Sequence, residues 1–279
     1  MPKEVIMTQI NASIVLYNNN TEQLNKVINS FFAAESKGKL FLVDNSQTDA
    51  LKNIMDHDSR VEYIFNNANV GYGAGHNIAI NRSIKENIKY HVVLNPDLYF
   101  KGEVIDKLLT YMDEHSNVGN IMPKILYPNG DNQYLAKLLP TPLDWILRRF
   151  LPSRFTQNIT NKFELKYTKY TDIMNVPFLS GCFMLLRTDV VKEVGLFDEN
   201  IFMYMEDIDL NRRIHSKYKT IYYPYVSVYH EYERGAHKNY KLLLISIKSS
   251  IKYFNKWGWI FDSERKKINN KLLQETHYE

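Results

Sequence analysis

The 279 residues predict an α/β protein: a doubly wound, mostly parallel sheet carrying a basic amphipathic helical appendage at its C-terminal end. Two features of the first hundred residues predict the sheet, namely short apolar runs alternating with helix-period segments and a polar group at the end of every run. A third, the collection of positive charge after Leu210, predicts the appendage. Ile10 to Tyr17 reads as the first strand. Leu24, Val27, Ile28, Phe31 and Phe32 then mark one face of a helix, with Asn20 and Gln23 placed to cap its start. Leu40 to Asp44, Val61 to Phe65 and His91 to Leu94 are the next strands. Val104, Ile105, Leu108, Leu109 and Met112 give a further helical face. Between 126 and 175, Pro128, Asn129-Gly130, Pro140, Pro142 and Pro152 punctuate loops. Regular structure resumes from Val176 to Arg187, followed by a helix from about Asp189 and another from Glu206 to Ser216. Strands near Ile221 and Val226 precede a long basic helix from about Ala236 to Lys256. No internal repeat or low-complexity tract interrupts the pattern.

Composition narrows the class. Hydrophobic residues at 44% and charged residues at 24% exclude disordered and fibrous chains. Cys182, the single cysteine, excludes an internal disulfide and any cysteine-built metal site, so a reducing compartment is expected and a metal would be held by oxygen or imidazole. The opening residues show no secretory leader, and no window reaches the roughly 18 apolar residues of a membrane span. The expectation is a cytoplasmic protein, soluble or peripheral on the inner face of the cytoplasmic membrane. A net charge of +4 is too small to point to nucleic acid, yet Leu210 to Glu279 carries 14 Lys+Arg against 6 Asp+Glu.

In doubly wound sheets ligands lie beyond the carboxyl ends of the strands, where this sequence places Asn18, Asp44-Asn45, Asn66-Asn67 and Asn95-Pro96-Asp97. A strand-end carboxylate caps the next helix or binds something. Asp97 follows a stiffening proline and precedes the apolar Leu98-Tyr99-Phe100, which favours binding, and Mg²⁺ or Mn²⁺ would take one or two such carboxylates and complete its shell with phosphates. Asn69-Val-Gly71-Tyr-Gly73-Ala-Gly75-His-Asn77 has the wrong spacing for a dinucleotide fingerprint, which argues against a Rossmann oxidoreductase. It is either a turn allowing tight helix packing or a loop approaching phosphate or sugar. Glu206-Asp207-Ile-Asp209 crowds three carboxylates at a helix start. They complement the helix dipole or supply a general base. His230, at a strand end, is an ordinary buried histidine or a ligand beside Asp97.

The order of these pieces resembles the family 2 glycosyltransferases of the GT-A fold, particularly the bacterial rhamnosyltransferase-like branch, over about residues 10 to 232. The resemblance rests on Ile14-Val-Leu-Tyr-Asn18, Leu42-Val-Asp44-Asn45-Ser46, the Asn69 to Asn77 loop and Leu94-Asn95-Pro96-Asp97. It continues through Phe178-Leu-Ser180-Gly181, Gly195-Leu-Phe197-Asp198-Glu199, Met203-Tyr-Met-Glu206-Asp207-Ile-Asp209-Leu210 and Val228-Tyr-His230. It implies a nucleoside edge at Tyr17, Asn18, Asp44 and Asn45, and a base-and-ribose segment containing Asn69, Gly71, Gly75 and Asn77. Asn95-Pro-Asp97 stands where the family has its D-x-D motif, so Asp97 would hold the metal, with Asn95 in place of the first acid. Asp207 matches the base, with Glu206 beside it. Ser180-Gly181 matches a turn at the donor sugar, and His230 a position reaching metal or diphosphate.

The resemblance divides the chain into a transferase domain over 1–232, with a nucleotide-binding half to about 100 and an acceptor half from 101, and a helical extension over 233–279. The implied reaction is inverting transfer from a nucleotide sugar, dTDP-rhamnose first and a UDP-hexose or UDP-galactofuranose next, to a saccharide hydroxyl in surface polysaccharide synthesis. Two alternatives stand beside it: a sugar-phosphate nucleotidyltransferase, disfavoured by the lack of a Gly-rich, Arg/Lys-bearing loop after the first strand, and a non-enzymatic sugar-binding module. On the last helix, Leu244, Ile247, Ile251 and Phe254 form one face and Lys241, Lys248, Lys252 and Lys256 another, ahead of Trp257-Gly-Trp259-Ile-Phe261. This suits either an anionic bilayer surface or ordinary core packing. Leu143 to Leu151 could dock on lipid or cover the acceptor cleft. A polyprenyl-diphosphate-linked saccharide is the acceptor that a membrane location implies.

Overall fold

The structure, a computed structural model, describes residues 9–36, 38–55, 58–231 and 240–278. The expected helix start near Ala236 and the boundary between 232 and 233 lie outside the described residues. The first half follows the hydrophobic pattern closely. Strand β1 (Ile10–Leu16) leads to helix α1 (Thr21–Phe32), then β2 (Leu40–Asp44), β3 (Val61–Phe65), α2 (Tyr72–Lys85) and β4 (Tyr90–Leu94). Asn20 Oδ1 accepts from the backbone N–H groups of Glu22 and Gln23, capping α1 as its sequence implies. Leu24, Val27, Ile28 and Phe31 are buried under the sheet, and full burial of each such side chain contributes about 1.5–3 kcal/mol.

After β5 (Leu98–Tyr99), α3 (Glu103–Glu114) buries all five residues of its apolar face. Strand β6 (Val118–Leu126) follows, then β7 (Ala136–Lys137), α4 (Pro142–Phe150) and α5 (Ser153–Phe163). Pro128, Asn129-Gly130 and Pro140 lie outside regular elements as expected, but the other two prolines start helices. Pro142 occupies the first helical position of α4 behind the Thr141 cap, and Pro152 precedes α5; the missing proline N–H costs nothing there. Next come β8 (Met174–Asn175), β9 (Phe178–Leu179), β10 (Phe183–Arg187), α6 (Thr188–Val194) and α7 (Glu206–His215). The two strands expected near Ile221 and Val226 are one strand, β11 (Lys219–His230), whose pairing register shifts between Tyr223 and Ser227. Pro224, which has no ladder donor, sits in that shift. Helices α8 (Tyr240–Trp257) and α9 (Ser263–Glu275) complete the described chain.

The nine-stranded sheet runs β3-β2-β1-β4-β10-β6-β11-β5, with β8 also on β11. It is parallel across β3-β2-β1-β4, and β11 lies parallel to β6. Strand β10 enters antiparallel between β4 and β6. Inserting β10 beside β4 puts the Ser180-Gly181-Cys182 turn next to the Asn95 end of β4, and Asn95 N donates to Cys182 O at 2.9 Å. The sheet thereby joins the nucleotide edge to the second half of the chain.

Helices α8 and α9 share a core with α7. Tyr253 and Phe254 pack with Ile201, Met205, Ile208 and Leu139. The face of α8 that meets the body carries Ser246, Ser249, Ser250, Tyr253 and Phe254, so Phe254 is buried while Leu244 and Ile251 remain exposed. Trp257 also turns inward, with the Arg212 guanidinium 4.1 Å over its ring and its Nε1–H donated to Asp209.

Candidate active site

The carboxyl ends of β1, β2 and β4 form one edge. Asp44 is fully buried; it accepts from the Tyr63 hydroxyl at 2.6 Å and from Ser46 N at 2.8 Å. Tyr17 is half exposed at this edge, and Asn18 has left-handed backbone with its N–H donated to Ser46 Oγ. Asn45 spends its amide internally, donating to Gly71 O and accepting from Asn66 Nδ2. Asn69 Oδ1 receives Gly71 N, closing the turn. Gly71 has φ 96°, and a Cβ there would lie 2.4 Å from Phe202 O. At Gly75 a Cβ would meet Val15 Cγ2 at 2.8 Å, so this glycine serves close packing of α2 on β1. Asn77 exchanges both hydrogen bonds with the Phe197 backbone and donates to Glu199. The structure thus places Asn45, Gly75 and Asn77 as braces of the nucleotide edge.

Asp97 and His230 meet just beyond the same carboxyl end of β4. Gln133 Nε2 donates to Leu126 O and His230 O, which turns its Oε1 toward His230 Nδ1 at 3.0 Å. Nδ1 therefore carries the proton of the neutral ring. The basic Nε2 stands 3.2 Å from Asp97 Oδ1 and 3.4 Å from Asn95 Nδ2. Asp97 Oδ1 is buried and accepts no hydrogen bond. A basic imidazole nitrogen beside an unpartnered carboxylate oxygen fits a divalent cation, and two protein ligands suit one whose shell is finished by phosphate oxygens. Among the described residues no group of three or more His, Cys, Asp or Glu gathers to hold a metal alone.

Asp207 stands at the start of α7, half buried. Its Oδ2 accepts Gly181 N at 2.9 Å and its Oδ1 accepts Ile208 N at 2.8 Å. Gly181 allows this approach, because a Cβ there would come within 3.1 Å of Asp207 Cβ. Burial raises the Asp207 carboxyl above the usual range, opposed by the Gly181 and Ile208 N–H groups, which makes it a stronger base. Glu206 is pushed up further by burial and then by the Asp207 charge, and its Oε2 is buried without a hydrogen-bond donor. Such a carboxyl holds its proton and leaves Asp207 as the charged member.

Tyr72 joins the two centres. Its hydroxyl lies 2.7 Å from Gly181 O and 3.1 Å from Asn95 Oδ1. Burial pushes this phenol well above its ordinary value, and the Asp207 and Asp97 carboxylates push the same way. The Tyr72 hydroxyl thus sits between the Gly181 turn that holds Asp207 and the Asn95 amide beside His230. A cleft of about 840 Å³ is lined by Tyr72, Asn95, Ser180, Gly181, Glu206, Asp207 and His230. It is also lined by Gln133, Lys137 and Lys166, which no motif in the sequence marks, and by Trp145 and Arg148. Trp145 and Arg148 come from α4, within the segment expected either to dock on lipid or to cover the cleft.

A mostly parallel sheet whose strand ends face an acidic helix start across a cleft is the architecture of GT-A glycosyltransferases. The chain belongs to glycosyl transferase family 2, matching that family over residues 13–195. It is 28% identical over 203 residues to the low-salt glycan biosynthesis hexosyltransferase Agl10 of Haloferax volcanii, covering 71% of this chain and 59% of that protein's length. It is 27% identical over 212 residues to the N-acetylglucosaminyl-diphospho-decaprenol L-rhamnosyltransferase of Mycobacterium tuberculosis, covering 71% of this chain and 68% of that protein. Rhamnosyltransferase WbbL of Escherichia coli K12 aligns at 26% identity over 254 residues, 86% of this chain and 90% of the relative. Among solved structures, GalNAc-T7 with UDP, GalNAc and Mn²⁺ superposes with TM-score 0.64 at 15% identity, covering 99% of this chain and 57% of that one. S. aureus TarS 1-349 in complex with UDP-GlcNAc gives 0.60 at 16% identity, covering 97% and 72%.

Proposed function

We propose that this chain transfers a sugar, with inversion, from a nucleoside-diphosphate donor to a hydroxyl of a lipid-linked saccharide during surface polysaccharide synthesis. The observation that carries the reading is one cleft lined by both Asp207 and His230, with Asp97 Oδ1 3.2 Å behind His230 Nε2. Asp207 accepts the proton of the attacking hydroxyl as the bond to the anomeric carbon forms, an effect typically worth about 10²–10⁴-fold. Gly181 N–H keeps one Asp207 oxygen oriented during the transfer. Attack from the base side, opposite the departing diphosphate, inverts the anomeric configuration. Asp97 and His230 would hold Mg²⁺ or Mn²⁺, which when bound supplies positive charge to the departing diphosphate. Asp44, Tyr17 and Asn18 are assigned to the nucleoside, and Ser180-Gly181 to the donor sugar.

The names of the relatives favour a rhamnosyl donor, with dTDP-rhamnose ahead of a UDP-hexose or UDP-galactofuranose, and the mycobacterial relative's name favours a polyprenyl-diphosphate-linked acceptor. Among the described residues no helix is long and apolar enough to cross a membrane. An anionic membrane surface on the cytoplasmic side is nevertheless assigned as a partner. Leu143, Ile146, Leu151 and Phe155 on the α4–α5 hairpin, and Ile260 and Phe261 after α8, are exposed. Lys162 and Lys266 line the groove of about 790 Å³ that Ile260 and Phe261 also line, and apolar side chains interleaved with cations suit anionic lipid. Nucleotide sugars screened for thermal stabilisation and then turnover, with and without Mn²⁺, test the donor reading. Turnover of none of them would overturn it. Failure to co-sediment with anionic vesicles at low salt would remove the membrane.

A further inference from the structure

Three cations line the cleft outside the motifs of the family resemblance. Lys137 lies on β7, where it pairs with Phe178 of β9, the strand that leads into the Gly181 turn at Asp207. Lys166 follows α5, with its Nζ 2.9 Å from Glu164. Arg148 reaches in from α4, its guanidinium over the Phe163 ring. Among the described residues Glu164 is the carboxylate that ion-pairs with this group, with Lys137 Nζ 3.8 Å from it, while Asp207 and Asp144 act on Lys137 and Arg148 at longer range. Among the described residues Arg148 makes no ion pair.

Lys137 and Glu164 are mostly buried, with side chains 16% and 17% exposed. Burial is the largest influence on the Lys137 ammonium and pushes it below its ordinary value, and Arg148 and Lys166 push in the same direction. Burial likewise lowers Arg148. With Glu164 in ion-pair contact with Lys137 and Lys166, and Arg148 without an ion pair among the described residues, these cations are incompletely paired in a partly dry wall, an arrangement that a bound anion relieves. Contact of the Arg148 guanidinium with the Phe163 ring, 3.8 Å to its centroid, restricts its fork of N–H donors, a group that suits a phosphate.

We propose that Lys137, Arg148 and Lys166 form the subsite for a phosphate or diphosphate on the acceptor, deepening the transferase reading above and resting on it. The donor diphosphate has its place at Asp97 and His230, on the end of β4. The three cations come from β7, α4 and the segment after α5, all beyond the parallel nucleotide half. Lys137 is near enough to Asp207 for the two charges to influence each other, so an acceptor held here presents its sugar toward the base. Helix α4 connects this wall to the outer surface, with Trp145 and Arg148 in the cleft and Leu143 and Ile146 exposed. An acceptor with an anionic linkage and an apolar tail matches both faces.

The test is calorimetric titration of the full chain, preloaded with saturating UDP and Mn²⁺, with inorganic pyrophosphate and separately with farnesyl diphosphate. Both should bind. Arg148→Gln and Lys166→Gln should each weaken both probes about tenfold while shifting UDP affinity less than twofold, and Lys166→Arg should restore binding. Matching thermal unfolding midpoints show that the variants fold. Absence of pyrophosphate binding to the UDP-loaded wild type would overturn the subsite, as would Gln variants that bind both probes normally. Equal loss of UDP affinity would assign the cations to the donor diphosphate and overturn the acceptor role. If farnesyl diphosphate alone binds, irrespective of these substitutions, the apolar tail and not the cations holds it, and the proposal fails. A chain that turns over nucleotide sugar yet ignores pyrophosphate fails here only.

Discussion

The Tyr72 hydroxyl lies 2.7 Å from the carbonyl of Gly181, whose own N–H donates to Asp207. One turn is therefore held from both sides, by Tyr72 at the start of α2 and by Asp207. On the other side of the same hydroxyl, Asn95 leads through His230 to Asp97. Positions far apart in the chain are coupled through five polar contacts.

Removing that hydroxyl tests the coupling. Tyr72→Phe should lower kcat about fivefold, the worth of one net hydrogen bond of around 1 kcal/mol, with a small change in donor affinity. Steady-state kinetics beside UDP titration reads both; a loss confined to donor affinity would show that Tyr72 serves binding alone.

Asp207→Asn keeps the shape of the side chain and removes its capacity to take a proton. Transfer should fall by about 10²–10⁴-fold while UDP binding stays within twofold. Parallel loss of the two would make Asp207 a structural residue.

Asp97→Asn and His230→Gln should raise the Mn²⁺ concentration needed for UDP binding, since each removes one of two proposed ligands. Binding of UDP that ignores Mn²⁺ in the unsubstituted chain would remove the metal from the site.

Ser13 Oγ contacts His76 Nδ1 at 2.7 Å and His91 Nε2 at 2.8 Å beneath α2, and all three side chains are buried. Burial pushes His91 down to about 3 and His76 well below its ordinary value. Above about pH 6.5 neither the folded nor the unfolded ring is charged. As pH falls below that, the unfolded chain takes up protons that the folded chain refuses, so stability drops until about pH 3, by about 1.4 kcal/mol per pH unit for each such histidine. His91→Gln should lower stability at pH 8 yet flatten its decline between pH 6 and pH 4. Denaturant melts across that range read the slope, and an unchanged slope would contradict the assignment.

Arg212, 1% exposed, forks onto Asp262 with contacts of 2.7 and 2.6 Å. Arg212→Ala leaves Asp262 buried without its partner and should cost about 3–5 kcal/mol. The double variant Arg212→Met with Asp262→Leu should recover most of that in thermal unfolding. Equal instability of single and double variants would refute the pairing account.

Strong periodicity made α1, α3 and the first four strands legible, because Leu24, Val27, Ile28 and Phe31 can face only one way. Helices α4 and α5 were hidden by Pro142 and Pro152, which signal a break and a helix start with equal force until the following residues are seen to pack. Asp97, Asp207 and His230 were legible because short local patterns carry them. The grouping of Lys137, Arg148 and Lys166 was not, since the pairing of β7 with β9 and the fold of α4 against α5 bring them together and neither leaves a periodic signal. Asn45, Gly75 and Asn77 belong to readable motifs, yet the structure uses their amides and small size to hold neighbouring backbone. A motif identifies the neighbourhood of a site more readily than the atoms that touch substrate.

The left-handed backbone of Tyr204 and Met205, with φ 67° and 75°, immediately precedes the helix of Asp207, and Ser249 of α8 donates to the carbonyl of Met203 beside it. Two consecutive side-chain-bearing residues in that conformation persist only where surrounding contacts hold them. Exchanging tails between relatives would therefore alter the catalytic entrance itself. A working chimera must inherit Ser249 and Asp262 together with the body residues they grip.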